Sequence, residues 1–235
     1  MSPSGQSSTN ILVIGGNSSL GQEIIRQAEQ AGFAVHATSR ISMQPQEMGA
    51  EWHYLDLAHE ATVYKFFQEL EHLRFQNVFY CIGETSDLIV GDFSKDNLAE
   101  YFTIQFLMSF ILLSRLPTLM TTEVSSTLAY VSSRSAIYPS YDIPYAAVKG
   151  GLTSAVLSIS KRLQQNQRAI VVAPGLIEGS TMFFDMSREL QADHRARAGG
   201  KLLSLSEAAG YLLEFGSENS GVQNGVILEI GPRYK

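Results

Sequence analysis

A single cysteine, Cys81, is all the thiol chemistry this sequence offers, so no disulfide can form within the chain. Nothing before residue 10 resembles the apolar segment of a secretion signal, and together with the lone thiol this reads as a protein of a reducing cytoplasm. Long apolar runs are missing too. The richest stretch, "YFTIQFLMSFILLSRLPTLM", is interrupted by Gln105, Ser109, Arg115 and Pro117, short of the roughly 20 residues that cross a bilayer, and it reads as a buried helix with no membrane partner. Positive charge is scarce and scattered: 17 Lys and Arg stand against 23 Asp and Glu, a net charge of -6, with no basic stripe that would make nucleic acid an expected partner. The five histidines, His36, His53, His59, His72 and His194, show no metal-ligand spacing, so no metal is expected.

What the chain does have is a rhythm. Short β-branched runs alternate with amphipathic segments: "ILVIGG" precedes a helix over 20–31, "FAVHATSR" one over 60–73, "NVFYCIG" one over 97–116, "LAYVSS" one over 144–164, and "AIVVAPG" one over 206–215 before a final "GVILEIG". Repeated βαβ units require a parallel sheet covered on both faces, and the expectation is an α/β fold, doubly wound and Rossmann-type, in three α/β/α layers. With 235 residues, 45% of them hydrophobic, and no repeat or linker, residues 11–235 are expected to form one domain behind a loose tail at 1–10. The segment from Gly179 to Gly200 is polar, charged and poor in strand signals, a candidate mobile piece near the mouth of a site.

Two motifs carry chemistry. In "ILVIGGNSSLGQEII", glycines at 15, 16 and 21 lie between a strand and a helix, where a glycine backbone can turn sharply and approach a pyrophosphate at the helix N-terminus. In "YPSYDIPYAAVKGG", Tyr145 and Lys149 are four residues apart and so share one helix face just after Pro144, at the positive end of the helix dipole. A phenol with a pKa near 10 is a poor proton donor or acceptor at pH 7, and a nearby ammonium group stabilises its anion.

The glycine turn resembles the Thr-Gly-x-x-x-Gly-x-Gly turn of short-chain dehydrogenases/reductases of the non-extended branch, with Ile14 in place of the threonine and Ser19 in place of the middle glycine. Other motifs follow in the family's order from Ile11 to about Pro232. The resemblance implies a dinucleotide held by Gly15, Asn17, Ser18, Ser19, Leu20 and Gly21. Asp56 and Leu57 would lie beside the adenine. Cys81 and Gly83 of "YCIG" stand where the family has Asn-Asn-Ala-Gly. Pro174, Gly175 and the backbone near Ile177 would meet the carboxamide, with Ser180 or Thr181 as a further contact. At the end of the second strand, Ser39 and Arg40 replace the carboxylate that would favour a free ribose hydroxyl, so NADP(H) is expected over NAD(H).

The same resemblance implies a catalytic set of Ser133, Tyr145 and Lys149, with Gln105 where the family has asparagine. The strand-end pattern picks Ser133, whereas the commonest family spacing picks Ser132. The activity implied is hydride transfer between NADP(H) and a small-molecule carbonyl or alcohol. A non-catalytic NADP(H)-binding sensor or scaffold with the same fold is the alternative, motivated by the altered "YCIG" and by Gln105. Tyr138, Tyr141, Met182, Phe183 and Phe184 could line an apolar pocket. By analogy with the family, the helices over 97–116 and 144–164 would form a homodimer or homotetramer.

Overall fold

The structure, a computed structural model, describes residues 10–41, 49–86 and 93–233. Most of the expected tail lies outside these residues, and Asn10 already belongs to the first strand.

Seven strands form one sheet: β1 (Asn10–Ile14), β2 (Ala34–Ser39), β3 (Glu51–Tyr54), β4 (Asn77–Tyr80), β5 (Ser126–Val131), β6 (Gln167–Pro174) and a last strand, Ile227–Ile230. Their order is β3-β2-β1-β4-β5-β6 and then the last strand, and every pairing is parallel. Successive side chains leave a strand on opposite faces. Ile11 and Val13 therefore join the layer of α1 (Ser19–Gln30), and Leu12 and Ile14 the layer of α2 (Glu60–Leu70). Two covered faces explain why the central strands are apolar without alternation. This is the doubly wound, three-layer fold expected from the rhythm of the sequence.

The chain winds outward from β1 to β3 and then crosses back to lay β4 on the other side of β1. That reversal opens a crevice at the carboxyl ends of β1 and β4, the place where open α/β sheets bind ligands.

Several elements differ from the sequence reading. β3 was not anticipated, because it has only four residues and lies at the sheet edge with Glu51 and Tyr54 exposed, so no apolar run announces it. The helix expected over 97–116 is divided into α3 (Lys95–Phe102), a π-helical turn over Thr103–Met108, and α4 (Ser109–Arg115). By length and composition, Lys95–Leu119 could cross a membrane; here Met108, Leu112, Leu113, Leu116 and Leu119 enter the core. The helix over 144–164 is α5 (Ile143–Ile159), prolonged by a 3-10 turn.

The polar segment after Gly179 is helical. Following the short strand β7 (Ile177–Glu178), α6 (Thr181–Phe184) and α7 (Arg188–Arg197) each begin at a serine, Ser180 and Ser187, whose hydroxyl accepts from a first-turn amide at 3.2 Å. Such caps satisfy helix-end donors without any apolar periodicity. The chain closes through β8 (Leu203–Ser204), α8 (Leu205–Gly216) and the last strand, β9.

Arg168 fixes the end of α8 to the sheet. From β6 its guanidinium donates to Thr127 Oγ1, to the carbonyls of Val222, Phe215 and Ser217, and to Ser220 Oγ, at 2.6–3.0 Å. Arg168→Met strands these acceptors, and loss of such a charge-assisted network is expected to cost on the order of 3 kcal/mol in urea unfolding. A loss under about 0.5 kcal/mol would show that the network contributes little.

Candidate active site

Three glycines and a borrowed hydroxyl shape the turn from β1 to α1. Gly15 has φ +79, a left-handed conformation that costs glycine nothing, and a Cβ on Gly21 would stand 2.4 Å from the Gly15 carbonyl. Ser18 caps α1: its hydroxyl accepts from the Gly21 amide at 3.0 Å and donates to the Gly15 carbonyl at 2.8 Å. The Gly15 amide donates to Thr38 Oγ1 at 2.9 Å, and the Gly16 amide to the Thr38 carbonyl. Thr38, on β2, thus holds the turn where Ile14 has no hydroxyl to offer. Sequence reasoning missed it, although it sits in the quoted "ATSR" and its side chain lies on the same strand face as that of His36.

Ser19, at the first position of α1, meets Thr181 across the crevice: their hydroxyls are 3.1 Å apart, and the Thr181 amide donates to Ser19 Oγ at 3.2 Å. Of the two residues left open after the Pro-Gly turn, Ser180 is occupied as a cap, donating to the Ile177 carbonyl, and Thr181 faces the glycine turn. Asn17 and Leu20 belong to the same turn, with the Asn17 carbonyl accepting from Gln22 and Leu20 buried.

At the neighbouring strand ends, Arg40 is exposed and lies 3.7 Å from Glu84, while Ser39 turns its hydroxyl to the backbone of Ile41. Asp56 receives the Ala58 amide at 3.0 Å. The Leu57 side chain is buried in the core, so only its backbone is left for an adenine, and Cys81 packs at the edge of the other core layer. Burial pushes the Cys81 thiol up to about 12. Gly83 allows an equally close approach, since a Cβ there would stand 2.4 Å from Lys149 Nζ.

That ammonium is buried, donating to the carbonyls of Ile82 at 3.1 Å and Val131 at 2.9 Å. Burial lowers its pKa to about 8. Tyr145, one helical turn earlier on α5, has its ring centroid 5.8 Å from Nζ. Burial raises the phenol to about 12; the adjacent Ser133 hydroxyl works the other way and Asp142 adds to the rise. An unusually acidic phenol is therefore not a property of these protein groups by themselves.

The two serines separate as strand alternation requires. Ser132 is buried with its hydroxyl 2.7 Å from that of Thr153, whereas Ser133 turns toward Tyr145 and accepts from the Ser135 amide. Gln105, in the π-helical turn, reaches the same cleft, which is lined by Ile82, Gly83, Glu84, Gln105, Tyr145 and Lys149. Its amide nitrogen lies 3.4 Å from a Glu84 carboxylate oxygen. Single π turns inside α-helices occur often at functional sites, and here one re-aims this side chain.

Asp142 was not anticipated. Its carboxylate accepts from the Tyr145 amide at 3.0 Å, capping α5, and from the Ser86 amide and hydroxyl at 2.7 and 2.6 Å. One side chain thereby ties the loop after β4 to the helix carrying the phenol. An Asp two residues before a helix-starting proline was the available signal. Arg134 was missed as well: it donates to the carbonyls of Gly231 and Pro232 and lies against Gly175, where a Cβ would be 3.2 Å away. This holds the Pro174-Gly175 turn to the end of the chain. Of the proposed pocket residues, Phe183 is buried in a small cluster with Ala198 and Leu202, Tyr138 donates to Glu229, and Tyr141 and Phe184 are strongly exposed.

The turn fits a dinucleotide. Its glycines leave no room for side chains, Ser18 satisfies the Gly21 amide, and the N-terminus of α1 follows the turn, where a pyrophosphate would find donors and the positive end of the dipole.

Residues 14–230 match the family model described as enoyl-(acyl carrier protein) reductase. Among curated proteins none matches this chain. Among solved structures, a short-chain dehydrogenase/reductase from Serratia marcescens superposes with a TM-score of 0.81 at 18% identity over 94% of this chain and 96% of its own. A small-chain dehydrogenase in complex with NADPH superposes with a TM-score of 0.76 at 19% identity, over 95% and 97%. These structures share the fold, and the family model spans nearly the whole sequence: the chain belongs to the short-chain dehydrogenases/reductases, a family of oxidoreductases.

Proposed function

We propose that this protein is an NADP(H)-dependent oxidoreductase that interconverts a small-molecule carbonyl and its alcohol. The observation that carries the reading is the convergence of Tyr145, Lys149 and Gln105 on one cleft at the end of β4, with Ser133 beside the phenol. The glycine turn and Thr181 would hold the pyrophosphate, and Arg40 would meet a ribose 2'-phosphate. Exposed and bound to Glu84 only at 3.7 Å, Arg40 gives up little to do so. One structural neighbour was solved with NADPH, which supports the preference.

When bound, a nicotinamide would supply or accept the hydride. Ser133 donates a hydrogen bond to the substrate oxygen, and Tyr145 gives that oxygen its proton in reduction or removes it in oxidation. Lys149 would place positive charge beside the phenol, with Nζ 5.8 Å from its ring centroid, and could hold the nicotinamide ribose, while Gln105 would order the polar end of the cleft. Leu107 and Phe110 on the exposed side of the divided helix, with Ile143 on α5, would provide an apolar face for a homo-oligomer.

Tyr145→Phe is expected to lower turnover at least 10²-fold with activated ketones while NADPH affinity changes less than twofold. Unchanged turnover would remove the phenol from the mechanism; a wild type that binds NADPH and turns over none of a broad carbonyl panel would favour the sensor reading.

In fluorescence titrations, Arg40→Ala should weaken NADPH binding roughly tenfold and leave NADH unaffected. Equal affinity for both cofactors, unmoved by the substitution, would end the NADP(H) assignment.

The pH behaviour follows from Lys149. Its folded pKa of about 8 lies below the ordinary 10.5, so its ammonium opposes folding at neutral pH, by on the order of 3 kcal/mol. Stability should rise as pH climbs from 8 toward 10.5, whereas the reduction rate should fall over the same range as the charge is lost. Lys149→Met should flatten this stability rise and abolish turnover, read by thermal unfolding and pH-rate profiles. A rate that stays level to pH 10 would contradict the charge requirement.

A further inference from the structure

The register of the β2–β3 edge brings together residues that are distant in sequence. His36 pairs with Glu51, and Thr38 pairs with His53, in a parallel ladder. Because side chains two apart share a strand face, His36, Glu51 and His53 all project from the same side. His36 Nδ1 is 3.1 Å from His53 Nε2; the two Glu51 oxygens lie 3.7 Å from His36 Nδ1 and 3.9 Å from His53 Nε2. No spacing of histidines along the chain shows this group, which is why no metal is expected from sequence alone.

We propose that His36, His53 and Glu51 bind one divalent transition-metal ion of the zinc class, with water completing the coordination. Two imidazole nitrogens and a carboxylate oxygen are the donor set that zinc accepts at about 2.0–2.2 Å, which places neighbouring donors of a tetrahedral site roughly 3.3–3.6 Å apart. The two nitrogens, at 3.1 Å, need to part by only about 0.2 Å to reach it. Glu51 is exposed, and rotation of its carboxylate brings one oxygen toward both nitrogens, since the three donors already lie within 4.8 Å of one another.

The imidazoles are held for this. Both are buried, and each meets a phenyl ring in an edge-on contact, His36 with Phe75 at 5.2 Å and His53 with Phe66 at 6.4 Å between centroids. Rings locked by apolar packing lose little freedom on binding an ion. On the open side His36 and Glu51 line a cavity of about 410 Å³, ample for a water ligand. The site lies at the sheet edge on strands β2 and β3, apart from the cleft of Tyr145 and Lys149, and does not rest on the proposed reaction. A bound ion would clip the short edge strand to its neighbour.

The test uses the full chain, stripped of metal with a chelator and dialysed, titrated calorimetrically with zinc chloride and separately with Co²⁺ followed by visible absorption. One ion per chain is expected, with a Co²⁺ band of low-coordinate type and a rise in Tm at saturating zinc. Affinity should fall at least tenfold in both His53→Ala and Glu51→Gln and stay unchanged in His59→Ala. If His53→Ala fails to fold, Glu51→Gln still decides, because that side chain is on the surface. Absence of stoichiometric binding, or equal affinity in Glu51→Gln and wild type, would overturn the proposal.

Discussion

Lys149 is the group around which the crevice end of this fold is arranged. Its ammonium, out of water, is held by the carbonyls of Ile82 and Val131, at the ends of β4 and β5. A buried charge with poor partners is costly, so these two acceptors are fixed where the sheet ends and α5 begins. The constraint spreads outward. A side chain at residue 83 would have to displace the ammonium from its carbonyls, since a Cβ there would stand 2.4 Å from Nζ. Helix α5 must start where Asp142 and Pro144 start it, because one turn of drift would take both the phenol and the ammonium out of the crevice. Asp142 in turn bonds to Ser86 as well as to the helix, so the β4 loop and the helix start move as one unit.

The glycine turn obeys a similar logic with hydroxyls in place of charge. Ser18 occupies the Gly21 amide and Thr38 the Gly15 amide, so the loop is closed from within and from the neighbouring strand. Its geometry is therefore set before any ligand arrives, which lowers the ordering cost of binding. Ser19 and Thr181 extend the arrangement across the crevice and join the end of β1 to a segment more than 160 residues later. That contact gives the polar region after Gly179 a role as a wall of the site.

How much of this was legible in the sequence follows from the range of each interaction. The strand–helix rhythm, the glycine turn and the Tyr145–Lys149 spacing are local patterns, each contained within a few residues, and they led to the fold and to one end of the crevice. β3 escaped because four residues at an edge carry little apolar signal. The π turn that aims Gln105 escaped because it leaves no mark in composition. Thr38, Asp142 and Arg134 act across strands or loops, so only the assembled sheet shows what their polar atoms meet. Leu57 illustrates the opposite case: a motif position in the turn after β3 whose side chain went to the core.

Proton transfer at this site depends on a balance that the protein leaves unfinished. Burial holds Tyr145 near 12, and the neighbouring Asp142 carboxylate reinforces that rise. Lys149 is the obvious counterweight, yet its ammonium is committed to two carbonyls and lies 5.8 Å from the ring centroid. Pulling the phenol toward neutral pH therefore takes positive charge brought in from outside the chain, beside the ring and in the same water-poor cleft, where Coulombic attraction is strong. An oxidised nicotinamide carries that charge and its reduced form does not. On the proposed reading, the phenol would hold its proton until a carbonyl takes it during reduction and would be more readily ionised when an alcohol is to be oxidised, so its protonation would follow the redox state of the bound cofactor more than the pH of the solution.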